Sequence, residues 1–394
     1  MIVDDLRIGV FGYGMRGSLA KHAHRPGSGS AVVAVLDPDP EARQRAATVF
    51  GPDCVLAETL SDFLAAELDA AFVLSPDWLH AEHGRALLEA GVAVYLEKPM
   101  AISTDDCDQL LATARKLGGK LYLGHNMRHM AFVREMKRLI DDGAIGEPKV
   151  AWARHFVGHG GEFYFCDWHA ERRRANTLLL QKGAHDIDVL HWLCGAYTVN
   201  VSGIGDQMVY RQPEAGEPTG PGKWWTKPEA ERLSVFPPTK LTGLNPVVDV
   251  EDVSMLNMTL SNGVLASYQQ CHFTPDYWRN YTVIGTEGRI ENLGNGEPGS
   301  VIKLWNRRHE WAPNGDVEIP VVPKGGGMQG HGGADPLIVQ EFLRYVRSGG
   351  STDTSPVAAR YAVATGCAGA DSIRRGGVPV PVPRLDPDVA SYFP

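Results

Sequence analysis

Along the first 125 positions, apolar residues come in short runs separated by polar stretches of helical length. Leu6 to Phe11 and Ala31 to Leu36 are runs of strand length, and the polar stretch Pro40 to Phe50 reads as a helix. The runs Ala70 to Leu74, Val92 to Leu96 and Lys120 to Gly124 repeat the strand signal, with a helix predicted around Ala81 to Ala90. Ser103-Thr104-Asp105-Asp106 has the form of a capping box, in which the first hydroxyl receives a free amide of the opening turn, and it predicts a helix to Leu117. Strands and helices in alternation predict an α/β unit with a parallel, doubly wound sheet. Its ligand belongs beyond the carboxyl ends of the strands, where Ser75-Pro76-Asp77 and Glu97-Lys98-Pro99 fall.

Past residue 125 the pattern changes. Val133, Met136, Leu139 and Ile140 form a helical stripe ended by Gly143, and Lys149 to Val157 reads as a strand. From Asp206 to about Val248 lies a stretch rich in proline and glycine that contains Trp224 and Trp225, the length of a lid, a binding loop or an oligomer arm. Val253 to Leu260, Val264 to Gln270, Tyr281 to Ile284 and Arg289 to Glu291 then alternate as an antiparallel sheet does, with turns at Asn262-Gly263 and Glu287-Gly288. Two domains are therefore expected, 1–125 and 126–394. No internal repeat is visible, and the glycines at 325 to 333 are the one low-complexity tract.

A chain of 394 residues, 43% apolar, can build ordinary cores. Its formal charge of -9, with no long basic block, argues against a nucleic-acid surface and leaves small molecules as partners. The six cysteines at 54, 107, 166, 194, 271 and 367 form no C-x-x-C pair and no metal spacing, so no metal is expected and the thiols read as free in a reducing setting. No apolar stretch approaches the roughly 20 residues of a membrane span, and the chain enters a strand almost at once, which places the expectation in the cytoplasm.

The chemistry starts at GVFGYGMRG, positions 9 to 17. Gly12, Gly14 and Gly17 follow the first strand at the spacing G-x-G-x-x-G: one for the tight turn, one for backbone approach to a pyrophosphate, one for close packing. Amides at the start of the next helix would face the phosphates. Asp37 ends the second strand, 20 residues beyond Gly17, where a carboxylate accepts from ribose hydroxyls and repels a 2′-phosphate; this favours NAD over NADP. A glycine-rich turn without a ligand is the plainer alternative.

Two other places can do chemistry. In Glu97-Lys98-Pro99 the proline fixes the backbone just after the lysine, and a strand end sets the ammonium at the cofactor cleft, where it can steady a developing oxyanion. A solvated surface lysine is the other reading. In QKGAHDIDVLHWL, positions 181 to 193, Ile187, Leu190 and Leu193 give an apolar helical face, while Gln181 and His185 stand four apart on another. His185 can serve as the base that removes a hydroxyl proton, or as a hydrogen-bonded histidine at an interface. Asp188 and His191 read as structural.

These words, with SPDWLHAEHGRALLEAGVAVYLEKPMA, GAIGEP, KGAHDIDVLHWLCG, YTVIGTEGRIEN, a C-terminal helix from Pro336 and the closing VPVPV, resemble the glucose-fructose oxidoreductase, inositol dehydrogenase and rhizopine-catabolism (Gfo/Idh/MocA) family nearly end to end. The resemblance implies an N-terminal Rossmann domain and a C-terminal α+β domain built on a large, mostly antiparallel open sheet that carries homodimer or homotetramer contacts. It implies NAD as cofactor, a sugar, sugar acid or cyclitol as substrate, and Lys98 and His185 as catalytic residues. The cofactor is then expected at Gly12, Tyr13, Gly14, Met15, Arg16, Gly17, Asp37, Ser75, Pro76, His80, Glu97, Lys98 and Asn126. The substrate is expected at Lys98, Arg128, His159, Tyr164, Asp167, Trp168, His169, Arg172, Gln181, Lys182 and His185.

One position departs from the family. An aspartate usually stands four residues before the histidine, and here it is Gln181, whose amide cannot raise the histidine's basicity as a carboxylate can. Lys182 and the run Arg172-Arg173-Arg174 add positive charge nearby, which suggests an anionic substrate group. The departure also keeps open an NAD-dependent, redox-neutral glycoside hydrolase that oxidises, eliminates, adds water and re-reduces. GHGGADP at 330 to 336 resembles a segment of such hydrolases, and His159, Glu162, Tyr164, Asp167 and His169 supply acids and bases. A dinucleotide-binding sensor without catalysis is a third class, which has no need of the pair Lys98 and His185.

Overall fold

The computed structural model describes residues 4–211, 236–322 and 329–393. Trp224, Trp225 and the start of the glycine tract lie outside the described residues. The chain divides into two compact units that do not follow a single break near residue 125. The first comprises 1–129, 325–360 and 385–394, and the second 130–324 and 361–384.

In the first unit six parallel strands lie in the order β3-β2-β1-β4-β5-β6. They are β1 (Leu6–Phe11), β2 (Ser30–Leu36), β3 (Val55–Ala57), β4 (Ala70–Val73), β5 (Ala93–Leu96) and β6 (Leu121–Leu123). The order reverses at β1, between β2 and β4, and a crevice at such a switch point is where doubly wound sheets take ligands. The expected capping box is present: Ser103 Oγ accepts from the Asp106 amide at 3.1 Å and opens the helix Thr104–Leu117. The segment after the glycine turn, Met15–Ala23, is a 3-10 helix. The later helix Gln329–Ser348 closes the unit by setting Ile338, Val339 and Phe342 among Ile8, Val10, Phe72 and Tyr95. The Phe342 ring packs edge-on to Phe72 and Tyr95 at 5.3 and 5.5 Å between centroids.

The second unit carries nine strands in the order β14-β13-β12-β11-β7-β10-β9-β8-β15. These are β7 (Pro148–Phe156), β8 (Thr198–Asp206), β9 (Val253–Leu260), β10 (Leu265–Cys271), β11 (Trp278–Gly285), β12 (Arg289–Leu293), β13 (Val301–Trp305), β14 (Val317–Pro320) and β15 (Val380–Pro381). All neighbours are antiparallel except β10 and β7, which run parallel. One face alternates inward along β9 and β10 and packs on the helices Ala131–Asp141 and Gly183–Cys194. The opposite face is open and presents Trp152, Met255 and Leu265. β8, β13, β14 and the helix Pro356–Arg374 carry weaker patterns and were not anticipated.

Candidate functional site

In the first unit, Gly12 is the pivot at the end of β1. Its φ of 91° is a left-handed conformation, and a Cβ there would sit 2.7 Å from the Ser75 nitrogen, so glycine alone fits. Gly17 is confined by the Tyr13 ring at 2.8 Å, whereas a Cβ on Gly14 would meet nothing within 4 Å. Gly14 is thus bare toward open space, as a turn receiving a pyrophosphate must be. Asp37 holds this turn in place by accepting from the Tyr13 amide at 2.6 Å and the Asp39 amide at 2.8 Å.

The Glu97-Lys98-Pro99 word lies at the carboxyl end of β5 and is tied down on both sides. Glu97 receives Arg16 Nε at 2.7 Å, and the same guanidinium reaches Asp335 at 2.9 Å. Asn126 donates to Asp335 at 3.0 Å. The ring of His80 spans the carbonyls of Ser75 and Pro99 at 2.7 and 2.6 Å, linking the turn after β4 to the turn after β5. Ser75 Oγ meets His83 at 2.9 Å, and burial pushes that imidazole down to about 4. Asp77 is buried, which raises its carboxyl to about 6 against the pull of His80 and Lys98. Arg16 was expected on the cofactor; its guanidinium is engaged by Glu97 and Asp335, so within this chain it braces the loop that carries Lys98. Arg128, expected at the substrate, donates to the Asp353 carbonyl at 2.7 Å.

In the second unit, the segment 178–194 is broken at Lys182, between the short helix Leu178–Gln181 and the helix Gly183–Cys194. Gln181 and His185 therefore sit on two helices and not on one continuous face, which corrects the spacing argument. Beside His185 is a residue the sequence reading passed over: Asp186, fully buried. Its carboxylate accepts from Tyr268 Oη at 3.0 Å and from the Tyr281 hydroxyl, lies 3.0 Å from His155 Nδ1, and forms an ion pair with the Arg279 guanidinium at 2.9 Å. Burial alone would raise this acid; Arg279 and His155 instead hold it well below the usual carboxylate range. His155 is pushed down to about 3 by burial and Arg279, and so stays neutral.

The partners of Asp186 come from three adjacent strands in register, since His155 on β7 faces Gln270 on β10 and Arg279 on β11. His155 also contacts the hydroxyl of Tyr277, just before β11, at 3.1 Å. Lys182 Nζ stands 5.7 Å from the Tyr277 ring centroid and faces the hydroxyls of Tyr164 and Tyr277. Burial opposes charge on Lys182, but those hydroxyls raise it; Tyr277 is in turn lowered by Lys182 and Arg279, against the effect of burial. His272 is fully buried, and neither ring nitrogen has a hydrogen-bond partner among the described residues.

The remaining candidates are placed as follows. Asp167 caps a turn by accepting from the Trp168 amide at 2.7 Å, and His169 stacks on Trp168 at 3.7 Å. His159 lies near Glu162, whose carboxyl burial raises. Arg172 reaches the Asp249 carbonyl at 2.6 Å and Glu251 at 3.9 Å, and Arg173 and Arg174 both turn to Glu171. The arginine run is thus largely met by acids of its own unit. The signal for the missed group was a carboxylate, Asp186, inside an apolar helical stripe, because a buried charge requires partners.

Residues 6–125 match the model of the oxidoreductase family's NAD-binding Rossmann fold, and residues 133–291 match its C-terminal domain. An inositol 2-dehydrogenase of Saccharopolyspora erythraea is 37% identical over 194 residues, which is 48% of this chain and 53% of that protein. A 2,7-anhydro-N-acetylneuraminate hydratase of Mediterraneibacter gnavus is 30% identical over 53% of this chain and 54% of its own length. The chain thus spans about half the length of these curated relatives. Among solved structures, a levoglucosan dehydrogenase in complex with NADH and levoglucosan superposes with a TM-score of 0.76 at 19% identity, covering 97% of this chain and 100% of that one. The bare glycine turn, the Asp37 that holds it and two consecutive domain matches lead to one conclusion: the chain belongs to the Gfo/Idh/MocA oxidoreductase family, and its N-terminal part is an NAD-binding Rossmann domain.

Proposed function

We propose that the chain is an NAD-dependent oxidoreductase acting on a secondary hydroxyl of a sugar, sugar acid or cyclitol. The observation that carries this is Lys98 at the carboxyl end of β5 in the NAD-binding unit, its loop clamped by Glu97 on Arg16 and by Pro99 on His80. The names of relatives, dehydrogenases of inositol among them, support the substrate class. Gly12, Gly14, Gly17 and Asp37 would hold NAD, which supplies a hydride acceptor when bound. Lys98 donates to the reacting oxygen and stabilises its negative charge. His185, in the second unit, is the residue we assign as the base for a hydroxyl proton. With Arg172 engaged by Asp249 and Glu251, recognition of an anionic substituent falls to Lys182.

Purified protein with NAD, screened against myo-inositol, glucose, glucuronate and aryl glycosides, tests this through reduced-nicotinamide absorbance and released aglycone. Accumulation of reduced cofactor with product supports the oxidoreductase. Aglycone release without it supports the redox-neutral hydrolase, the reading favoured by the hydratase relative and by His331 and Asp335 of the 330–336 segment meeting Arg16. The open sheet face, with a groove of about 420 Å³ lined by Trp152, Asn257 and Leu265, supports assembly of two or four copies. None of the six cysteines is disulfide-bonded, and no helix among the described residues is long and apolar enough to cross a membrane, which suits a reducing cytoplasm.

A further inference from the structure

Within the second unit, Lys182 separates the helices Leu178–Gln181 and Gly183–Cys194 and opens the second of them, whose N-terminus has no side-chain cap. The first amides of a helix have no partner inside it, and together with the helix dipole they favour an anion there. The groups that act most on the Lys182 charge are the phenols of Tyr164 and Tyr277 and the Arg279 guanidinium, none of them a carboxylate. The acid of the same turn, Asp186, is engaged by Arg279 at 2.9 Å, so of these charges one positive is left over. On β10, Gln270 is 1% exposed; its Oε1 accepts from Tyr268 Oη at 3.1 Å, while its Nε2 donor has no partner among the described residues. That amide packs on Gly183, where a Cβ would stand 3.4 Å from Oε1 and 2.9 Å from the Tyr268 ring, so glycine lets the helix start meet the strand. A buried donor left unbonded costs free energy that a ligand oxygen recovers.

We propose that the N-terminus of Gly183–Cys194, with Lys182 and Gln270, is the binding site for the carboxylate of a sugar acid. This names the substrate class of the oxidoreductase and rests on that reading. Lys182 supplies the charge, and the opening amides of the helix with Gln270 Nε2 supply neutral donors to the two oxygens. One unbalanced positive charge matches a monoanion, whereas a phosphate dianion calls for more. The outer side of the cluster reaches solution, since Lys182 is half-buried and Tyr277 is 46% exposed. His185 follows Lys182 by three positions, about 4.5 Å along the axis at the helical rise, so one small molecule can offer its carboxylate to Lys182 and a hydroxyl to His185.

Titration calorimetry of the protein with NADH present, against glucuronate, glucose and inorganic phosphate, reads this site without turnover. Glucuronate should bind at least about tenfold more tightly than glucose, the size of a charge-assisted contact, and Lys182→Met should bring the two affinities within about threefold of each other. Lys182→Arg keeps the charge and should keep a preference for glucuronate. Gln270→Leu, apolar and of similar size, should weaken glucuronate by about tenfold, which tests the site even where Lys182→Met fails to fold. Equal affinity for glucuronate and glucose, or a preference untouched by Lys182→Met and Gln270→Leu, overturns the site; NAD reduction with glucose or myo-inositol would then leave the oxidoreductase reading standing. Phosphate bound more tightly than glucuronate overturns the carboxylate assignment. If glucuronate binding depends on Lys182 while nothing in the panel reduces NAD, the oxidoreductase reading fails and the carboxylate site stands.

Discussion

Gly12 and Gly14, two residues apart, separate the structural from the ligand-facing use of glycine. A methyl on Gly12 would strike the Ser75 backbone from a left-handed conformation, so Gly12→Ala should destabilise the first unit by about 1–3 kcal/mol, read as a lowered denaturation midpoint. Gly14→Ala meets no protein atom and should change stability by no more than about 1 kcal/mol while NAD affinity, measured by titration calorimetry, drops at least tenfold. Equal losses of stability in both variants would contradict this division. The glycines, Asp37 and Lys98 could be singled out from the sequence because each lies in or just after a strand, within a short word or at a fixed distance from one. The Asp186 group could not, since Asp186 draws on His155, Arg279 and Tyr281, 31 to 95 residues away and brought together only by strand register. The partners of Arg172 are as distant in sequence: the Asp249 carbonyl and the Glu251 carboxylate lie far along the chain.

At the level of elements, the helix Gly183–Cys194 is joined to β7, β10 and β11 through one buried carboxylate. Removing its charge leaves Arg279 buried without a counter-ion, so Asp186→Asn should destabilise by about 3–5 kcal/mol in denaturant melts. An ordinary surface loss of well under 1 kcal/mol would show the group to be more solvated than its geometry implies. His155 gives a pH test with a definite sign. Its imidazole is down at about 3 in the folded state against about 6.5 unfolded, so between these values the unfolded chain binds the extra proton. Stability should therefore fall as pH drops from about 6.5 toward 3, with this residue contributing up to about 1.4 kcal/mol per pH unit. Asp186, held below its unfolded value, adds loss in the acid range beneath about 4. His155→Gln should flatten the upper part of that acid limb by one proton; an unchanged slope would contradict the assignment. The helix itself was visible as an apolar stripe, but the break at Lys182 was not, because glutamine, lysine and glycine in sequence do not announce a change of helix axis.

At the scale of the molecule, two units built by different rules share one chain that returns to the first after completing most of the second. Alternating strand and helix signals made the parallel sheet legible. The return did not show, because the helix Gln329–Ser348 has the apolar spacing of any amphipathic helix and only packing reveals which sheet it covers. The large sheet's open face carries the prediction for assembly: Trp152→Glu with Leu265→Glu should shift the protein to smaller species in light scattering, without loss of the folded signal. An unchanged mass would contradict assembly through this face. The central claim, hydride transfer from a sugar-like hydroxyl at Lys98, is tested most directly by a single-turnover mix of enzyme, NAD and the screened substrate. Reduced nicotinamide should form one for one with oxidised product in the wild type, and at least about 10² times more slowly in Lys98→Ala. Product formed with no net reduced nicotinamide, or at an undiminished rate in Lys98→Ala, would contradict it.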